Sequence, residues 1–323
     1  MSRAAELRRL VNSYQLSQAI HVAAVLGIAD LLADGPRSSD ELAEATKTDP
    51  RALYRLLRAL AAFGLFEEDD ARRFSLTDLG DALRSDAPES VAGWAAFVGR
   101  RNIRDAWTSL EESIRTGENA FRLEHGVSVW EYRAQHPEES DAFDRAMQSS
   151  SMLVIRSLID AYEFGRFGTI VDVGGGNGTL LRALLDEYPQ LNGVLFDQPH
   201  VVHGVDLGER GTVVAGSFFE SVPEGGDAYL LKWIIHDWED EDAIAILRTV
   251  RRQDGTLLLV ERLVDPPNEG PETKMGDVNM LVGPGGQERT LEEFRGLYEA
   301  AGYELVGHTP TATGMYVIEG APA

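Results

Sequence analysis

Two groups of residues in this chain have the types and spacing to do chemistry. The first is Ile170-Val171-Asp172-Val173-Gly174-Gly175-Gly176-Asn177-Gly178, followed after the next apolar run by Phe196-Asp197. Apolar and β-branched residues read as a buried parallel strand, and the glycines open a tight turn into a helix over Thr179–Tyr188. A Cβ in that turn would hinder positive φ and hold the backbone away from a ligand. Asp197 closes the next strand on the same edge, where a carboxylate can accept both hydroxyls of a ribose. The second group ends the fourth strand: Lys232-Trp233-Ile234-Ile235-His236-Asp237-Trp238. This places His236 on the same edge, where a neutral imidazole can take the proton of a phenol or enol because its pKa lies near working pH.

The glycine spacing narrows the ligand. Dinucleotide folds use G-x-G-x-x-G/A, with a helix N-terminus facing a pyrophosphate. Here Gly174, Gly176 and Gly178 give G-x-G-x-G, and Thr179 stands at the third small position. No lysine follows as in a phosphate-binding loop. Asp172 at the strand end suits a cationic ligand and would repel a pyrophosphate.

The elements that must position these residues follow from the pattern. From Thr169 onward, strands at 169–173, 192–196, 212–214, 227–231 and 256–260 alternate with helices, and two late strands near 303–307 and 314–318 follow a helix at 291–301. Such alternation implies a Rossmann-like, doubly wound α/β sheet with ligands at the carboxyl ends of its strands. The first hundred residues read as mostly helical: an apolar-periodic helix over Tyr14–Leu32, a short one from Ser39, and one from Asp49-Pro50 to about Phe63-Gly64. A hairpin of Leu65–Glu68 and Arg73–Leu76 completes a winged-helix pattern. Residues 101–165 read as connecting helices (Asp105–Thr116, Val129–Gln135, Glu138–Tyr162). The expected domains are therefore 1–100, 101–165 and 166–323.

Composition removes whole classes of chemistry. The 323 residues contain no cysteine, which excludes thiol nucleophiles, thiolate zinc, disulfides and cysteine-held iron–sulfur clusters. A formal charge of −23 opposes contact with phosphate backbones. The winged-helix segment carries Arg51, Arg55 and Arg58 on its candidate recognition helix. Its first hundred residues nevertheless hold 12 Lys and Arg against 15 Asp and Glu, so no basic footprint stands out. Dimerisation, with the Tyr14–Leu32 helix offered to a second copy, is the expected use, and no nucleic-acid partner is expected. With no apolar run of membrane-spanning length and no leader-like start, a cytoplasmic protein without a membrane partner is expected.

Taken together, Asp172-Val-Gly-Gly-Gly, Phe196-Asp197-Gln198-Pro-His200, Gly216-Ser217-Phe218-Phe219, Lys232-Trp-Ile-Ile-His236-Asp237-Trp238 and Gly285-Gly-Gln-Glu288-Arg289-Thr290 stand in the order and spacing of one family. The chain resembles, over nearly its whole length, the S-adenosylmethionine (SAM)-dependent small-molecule O-methyltransferases of the plant caffeate/isoflavone type and their bacterial natural-product relatives. The resemblance implies SAM as cofactor, S-adenosylhomocysteine (SAH) as product, a winged-helix homodimer and an aromatic or polyketide-like acceptor. It implies that Gly174 lines the methionine part of SAM and Asp197 binds the ribose. Ser217 and Phe218 would flank the adenine, and Lys232 would lie near the cofactor. Asp172, Gly176, Gln198 and Trp233 join the implied cofactor set. His236 would be the base, oriented by Glu261 and Glu288; the plainer reading of Glu288 is a cap for the helix that Thr290 begins. Ser217 departs from the aspartate that many members use for the adenine amino group.

The acceptor pocket is expected to draw on Met147, Asp237, Asn279, Met280 and Gly283, with Trp233 beside them; core packing is the alternative for the methionines. The acids Asp237, Glu239, Asp240, Glu241 and Asp242 are better explained by a helix dipole and solvent than by a metal, and none is expected. Two rival functions remain open to this reading. One is a relative that keeps the SAM site but performs hydroxylation, decarboxylation or a pericyclic step. The other is a SAM-sensing DNA-binding regulator.

Overall fold

The computed structural model describes residues 2–323, and the chain divides into two units. One holds the residues up to Arg104 together with His136–Leu153; the other holds Asp105–Gln135 and Val154–Ala323. The segment 101–165 is thus shared between the two. The 25-residue helix Pro137–Ala161, which starts on its proline, runs through the division.

In the first unit, the helices Ser39–Thr46 and Pro50–Ala62 and the strands β1 (Arg37–Ser38), β2 (Phe66–Glu68) and β3 (Arg73–Leu76) form a winged helix, with sheet order β1-β3-β2. Ser38 and Glu41 close a capping box on the first helix, and the Asp49 carboxylate accepts from the Ala52 amide ahead of Pro50 on the second. Leu53, Leu57 and Leu60 fall on one face of Pro50–Ala62 and pack with Leu42, Phe66 and Phe74. The expected helix over Tyr14–Leu32 is in fact two, Ser13–Val25 and Ile28–Leu32. Gly27 sits between them at φ 63°, a left-handed conformation that ends the first. Apolar periodicity ran straight across that glycine and hid the break. The strand β1 is too short to carry a sequence signal.

In the second unit, seven strands lie in the order β6-β5-β4-β7-β8-β10-β9. They are β4 (Thr169–Val173), β5 (Asn192–Asp197), β6 (Gly211–Ala215), β7 (Ala228–Lys232), β8 (Thr256–Glu261), β9 (Tyr303–Pro310) and β10 (Tyr316–Pro322). The first five pair in parallel, and β10 runs antiparallel to both β8 and β9. The doubly wound sheet is as expected, with each strand beginning within two residues of its predicted place. Ile170, Val171, Leu230, Leu231, Leu257, Leu258 and Leu259 are fully buried, as strands covered on both faces require. Helices Thr179–Glu187, Asp240–Arg251 and Leu291–Ala301 each bury one apolar stripe, such as Phe294, Leu297, Tyr298 and Ala301. Two helices of this unit, Ala120–His125 and Pro271–Val282, went unread in the sequence. The first is under two turns, and the second lacks a clean apolar stripe. Among the described residues no helix is long and apolar enough to cross a membrane.

Strand order reverses at β4, which lies between β5 and β7. The carboxyl ends of β4, β5, β7 and β8 bring the glycine turn, Asp197, Lys232–His236 and Glu261 to one edge. A ligand crevice is expected at such a point.

Candidate active site

Gly174, Gly176 and Gly178 all adopt positive φ (71°, 61° and 75°). The Gly174 amide donates to the Phe196 carbonyl at 2.7 Å, tying the turn to the end of β5. A Cβ on Gly176 would meet nothing within 4 Å, so this part of the turn faces open space. The carboxylate of Asp197 accepts from the Gly176 amide at 2.8 Å and from the Gln198 amide at 2.6 Å. Burial pushes its pKa up, against the pull of those two N–H donors. Gln198 itself is exposed.

Asp172 lies deeper than a ligand-facing residue would. It is 2% exposed, and a Cβ on Gly175 would stand 2.6 Å from its carboxylate. Burial raises its pKa to about 7, opposed by Lys232. Lys232 is pulled down to about 8 by burial, opposed by Asp172 and Glu261, and its ammonium sits 3.9 Å over the Trp233 ring. Trp233 is held at φ 56°, an uncommon conformation for an aromatic residue, with its amide bonded to the Val260 carbonyl. Strain of this kind concentrates at functional sites.

Ser217 and Phe218 follow β6. The Ser217 hydroxyl accepts weakly, at 3.4 Å, from the Phe219 amide. The Phe218 ring approaches Gly174, and Phe218 and Phe219 meet Trp238 edge-on; Trp238 also stacks on Trp130. An aromatic wall therefore stands beside the glycine turn.

His236 rides on a single 3-10 turn, Ile235–Asp237. Its Nδ1 lies 3.1 Å from Glu288 Oε1 and 3.7 Å from Glu261 Oε2, while Nε2 lies 3.6 Å from Asp237 Oδ1. Only the Glu288 contact has hydrogen-bond length. Glu261 does something the sequence did not suggest. Its Oε1 accepts the backbone amides of Ile234 (3.2 Å) and Ile235 (2.9 Å), which fixes the start of the turn from the end of β8. Glu288 is not a helix cap: Thr290 and Glu293 form a complete capping box without it. Its own amide donates instead to Asp277 on the helix Pro271–Val282.

Four acids and bases share this buried space, and their electrostatics are coupled. Burial alone favours the neutral His236 ring, but Glu261, Asp237 and Glu288 outweigh it and raise its pKa to about 10. Burial raises Glu261 to about 7, opposed mainly by His236. It raises Asp237 to about 6, opposed by His236 and Arg133.

The remaining candidates are more dispersed. Asn279 is half-buried, Met280 is 9% exposed, and Gly283 follows the helix end. The carboxamide nitrogen of Asn119 donates to the Leu281 and Gly283 carbonyls, which holds that end in place. Met147 lies in the first unit and packs with Phe97, Ala142 and Ala146. Of the acids after His236, Asp237 and Asp240 have specific contacts: Asp240 accepts from Gln287 and Arg289. Dipole and solvent do not account for these two.

The glycine turn, the strand-end carboxylate of Asp197 and the buried His236–Glu288 pair thus stand on the carboxyl edge of one sheet. Comparison with known proteins gives the family. The O-methyltransferase domain profile matches residues 107–304, and the O-methyltransferase dimerisation domain profile matches residues 8–86. The chain belongs to the SAM-dependent O-methyltransferase family. It is 41% identical to the phenazine O-methyltransferase PhzM of Lysobacter antibioticus, over 98% of this chain and 95% of that one. The crystal structure of LaPhzM aligns with a TM-score of 0.96 at 39% identity, covering all of both chains. The neocarzinostatin-biosynthesis O-methyltransferase NcsB1, solved with SAM and 2-hydroxy-5-methyl naphthoic acid, aligns with a TM-score of 0.79 at 32% identity over 95% of this chain and 96% of that one. The chain is a SAM-dependent O-methyltransferase with the family's dimerisation domain.

The residues present fit the cofactor: a glycine with open space beside it, next to a carboxylate at a strand end. Replacing Asp197 by alanine removes a charged acceptor, so SAM affinity is expected to fall about tenfold to a hundredfold, the worth of a hydrogen bond to a charged group. Titration calorimetry checks this, and a wild-type dissociation constant would remove Asp197 from the cofactor site.

Proposed function

We propose that this enzyme methylates a phenolic hydroxyl of a flat aromatic or polyketide-like metabolite, with His236 as base, acting as a cytoplasmic homodimer. The observation that carries the reading is the His236–Glu288 pair at 3.1 Å on the edge that also holds the glycine turn. A neutral imidazole that donates from Nδ1 to Glu288 keeps its lone pair on Nε2. Aromatic relatives' acceptors support the substrate class, as does the wall of Phe218, Phe219, Trp130 and Trp238. The dimerisation-domain match supports the homodimer.

Asp197 and the backbone of Gly174 and Gly176 would hold SAM. When bound, SAM supplies a methyl group on a positively charged sulfur. His236 takes the acceptor's proton at Nε2 while the oxygen–methyl bond forms and the sulfur–methyl bond breaks, leaving a methyl ether and SAH. Glu288 and Glu261 position the ring and its turn. Asp237, beside Nε2, and Asn279 would meet the acceptor. The test is mass spectrometry of the enzyme with SAM and a panel of hydroxynaphthoates and hydroxyphenazines. Gain of one methyl on a hydroxyl is expected; a product changed in any other way would favour the hydroxylase, decarboxylase or pericyclic reading.

The pH profile follows from the cluster. The groups facing His236 are Glu261 from β8, Glu288 from the segment beyond it and Asp237 on its own turn; Asp277 holds the Glu288 amide, and Arg133 acts on Asp237. With the ring raised to about 10, the neutral form that can accept a proton is the minority at neutral pH. Its share grows as pH rises, so kcat/KM should climb well past the ordinary histidine pKa of about 6.5 and level only in the alkaline range. A profile that levels near 6.5 would overturn the raised value.

A further inference from the structure

Arg289 is the largest fully buried side chain among the described residues, at 1% exposure, and its contacts centre on the segment around His236. Its Nη1 donates to the Ile235 carbonyl at 3.0 Å and to the Gln287 carbonyl at 3.3 Å. Its Nη2 donates to the Trp238 carbonyl at 2.8 Å. The Nε and Nη2 hydrogens also meet Asp240 Oδ1, at 3.0 and 2.8 Å. One guanidinium thus holds a carbonyl on each side of His236, from a residue adjacent to Glu288.

The other face of the same segment is equally close. A Cβ on Gly286 would stand 2.1 Å from the His236 carbonyl oxygen and 2.4 Å from the Trp238 amide. Glu261 grips the two N–H groups at the start of the turn. The turn is therefore gripped at its amides from β8 and at its carbonyls from Arg289. Nothing within a three-residue 3-10 turn would fix the ring to a carboxylate 52 residues away, so the constraint must come from outside it.

We propose that Arg289, braced by Asp240, is a positioning residue for catalysis: its planar fork joins the turn that carries His236 to the segment that carries Glu288 and sets the distance between them. This deepens the reading of His236 as base. Only a guanidinium suits the place. A lysine keeps the charge but is a point donor, and it cannot span two carbonyls and a carboxylate in one plane.

The test uses the full-length protein with histidine nitrogen labelling, saturated with SAH. Arg289→Lys keeps the buried charge and loses the fork. Asp240→Asn, at a side chain 63% exposed, weakens the brace with little risk to folding. The NMR titration of His236, assigned by its loss in His236→Ala, is the readout. In both variants the His236 pKa is expected to fall by about one unit toward its ordinary value, as separation from Glu288 withdraws the carboxylate's support. SAH affinity should stay within about twofold of wild type, since no cofactor residue is disturbed. Glu288→Gln serves as the reference for complete loss of that carboxylate. An unchanged His236 titration in Asp240→Asn and in folded Arg289→Lys would overturn the clamp. Failure of the base reading shows separately, as methyl transfer retained by His236→Ala.

Discussion

Replacing His236 by alanine should leave SAH binding at its wild-type value and lower methyl transfer about a hundredfold to ten-thousandfold, the range a positioned general base contributes. Binding survives because none of the cofactor-edge contacts of Gly174, Gly176 and Asp197 involves the imidazole. Transfer suffers because a neutral phenol, with a pKa of about 10, is a poor nucleophile until its proton has somewhere to go. The carboxylates that raise the pKa of His236 make its neutral imidazole a stronger base toward such a phenol. The loss should depend on the acceptor. A phenol acidic enough to be ionised in the buffer needs no base, so the variant should lose far less with it. Equal losses with ionised and neutral acceptors would show that the imidazole merely fills space. Undiminished transfer would end the assignment altogether.

How much of this was legible in the sequence depends on the range of the contacts. The parallel strands were, because burial on both faces leaves continuous apolar runs such as Leu257–Val260. The glycine turn and Asp197 were, because a ligand edge needs special backbone at one place and a carboxylate at the end of the next strand. His236 was, because strand order alone puts it on that edge. Glu261 and Glu288 were named through family resemblance, but their division of labour was not visible. Which carboxylate reaches Nδ1 and which reaches two backbone amides depends on ångström differences, 3.1 against 3.7 Å. Arg289, Gly286, Asp240 and Asp277 carry no local signal of their roles. Arg289, Gly286 and Asp277 act through a fold-back of the last quarter of the chain onto a turn some forty to fifty residues earlier, and Asp240 acts only by receiving Arg289 there. Pattern and propensity report on neighbours in sequence, and the clamp is made between strangers.

Gly286 provides the most severe test of that fold-back, and it needs no change of charge. Among the close glycines of this site, the atoms that crowd Gly174 belong to the Ile234 side chain, whose end can move aside. Those that crowd Gly286 are backbone: the His236 carbonyl oxygen at 2.1 Å, the Asp237 carbonyl carbon and the Trp238 amide, both at 2.4 Å. A methyl group there cannot be accommodated by a rotamer. Either the 285–289 segment lifts, carrying Glu288 away from Nδ1, or the turn is pushed off its Glu261 and Arg289 anchors. Both outcomes separate His236 from its carboxylate by about an ångström, and a displacement of that size costs about a hundredfold in rate. The overpacking should also cost about 1–3 kcal/mol of stability, small enough to leave a folded protein in a well-buried α/β unit. Gly286→Ala is therefore expected to melt somewhat earlier, bind SAH normally and transfer methyl groups about a hundredfold more slowly. Gly296→Ala, where a Cβ would meet nothing within 4 Å, is the matched control and should behave as wild type. A Gly286→Ala enzyme with full turnover would mean that the turn and the Glu288 segment are free to separate, and that the close approach serves packing alone.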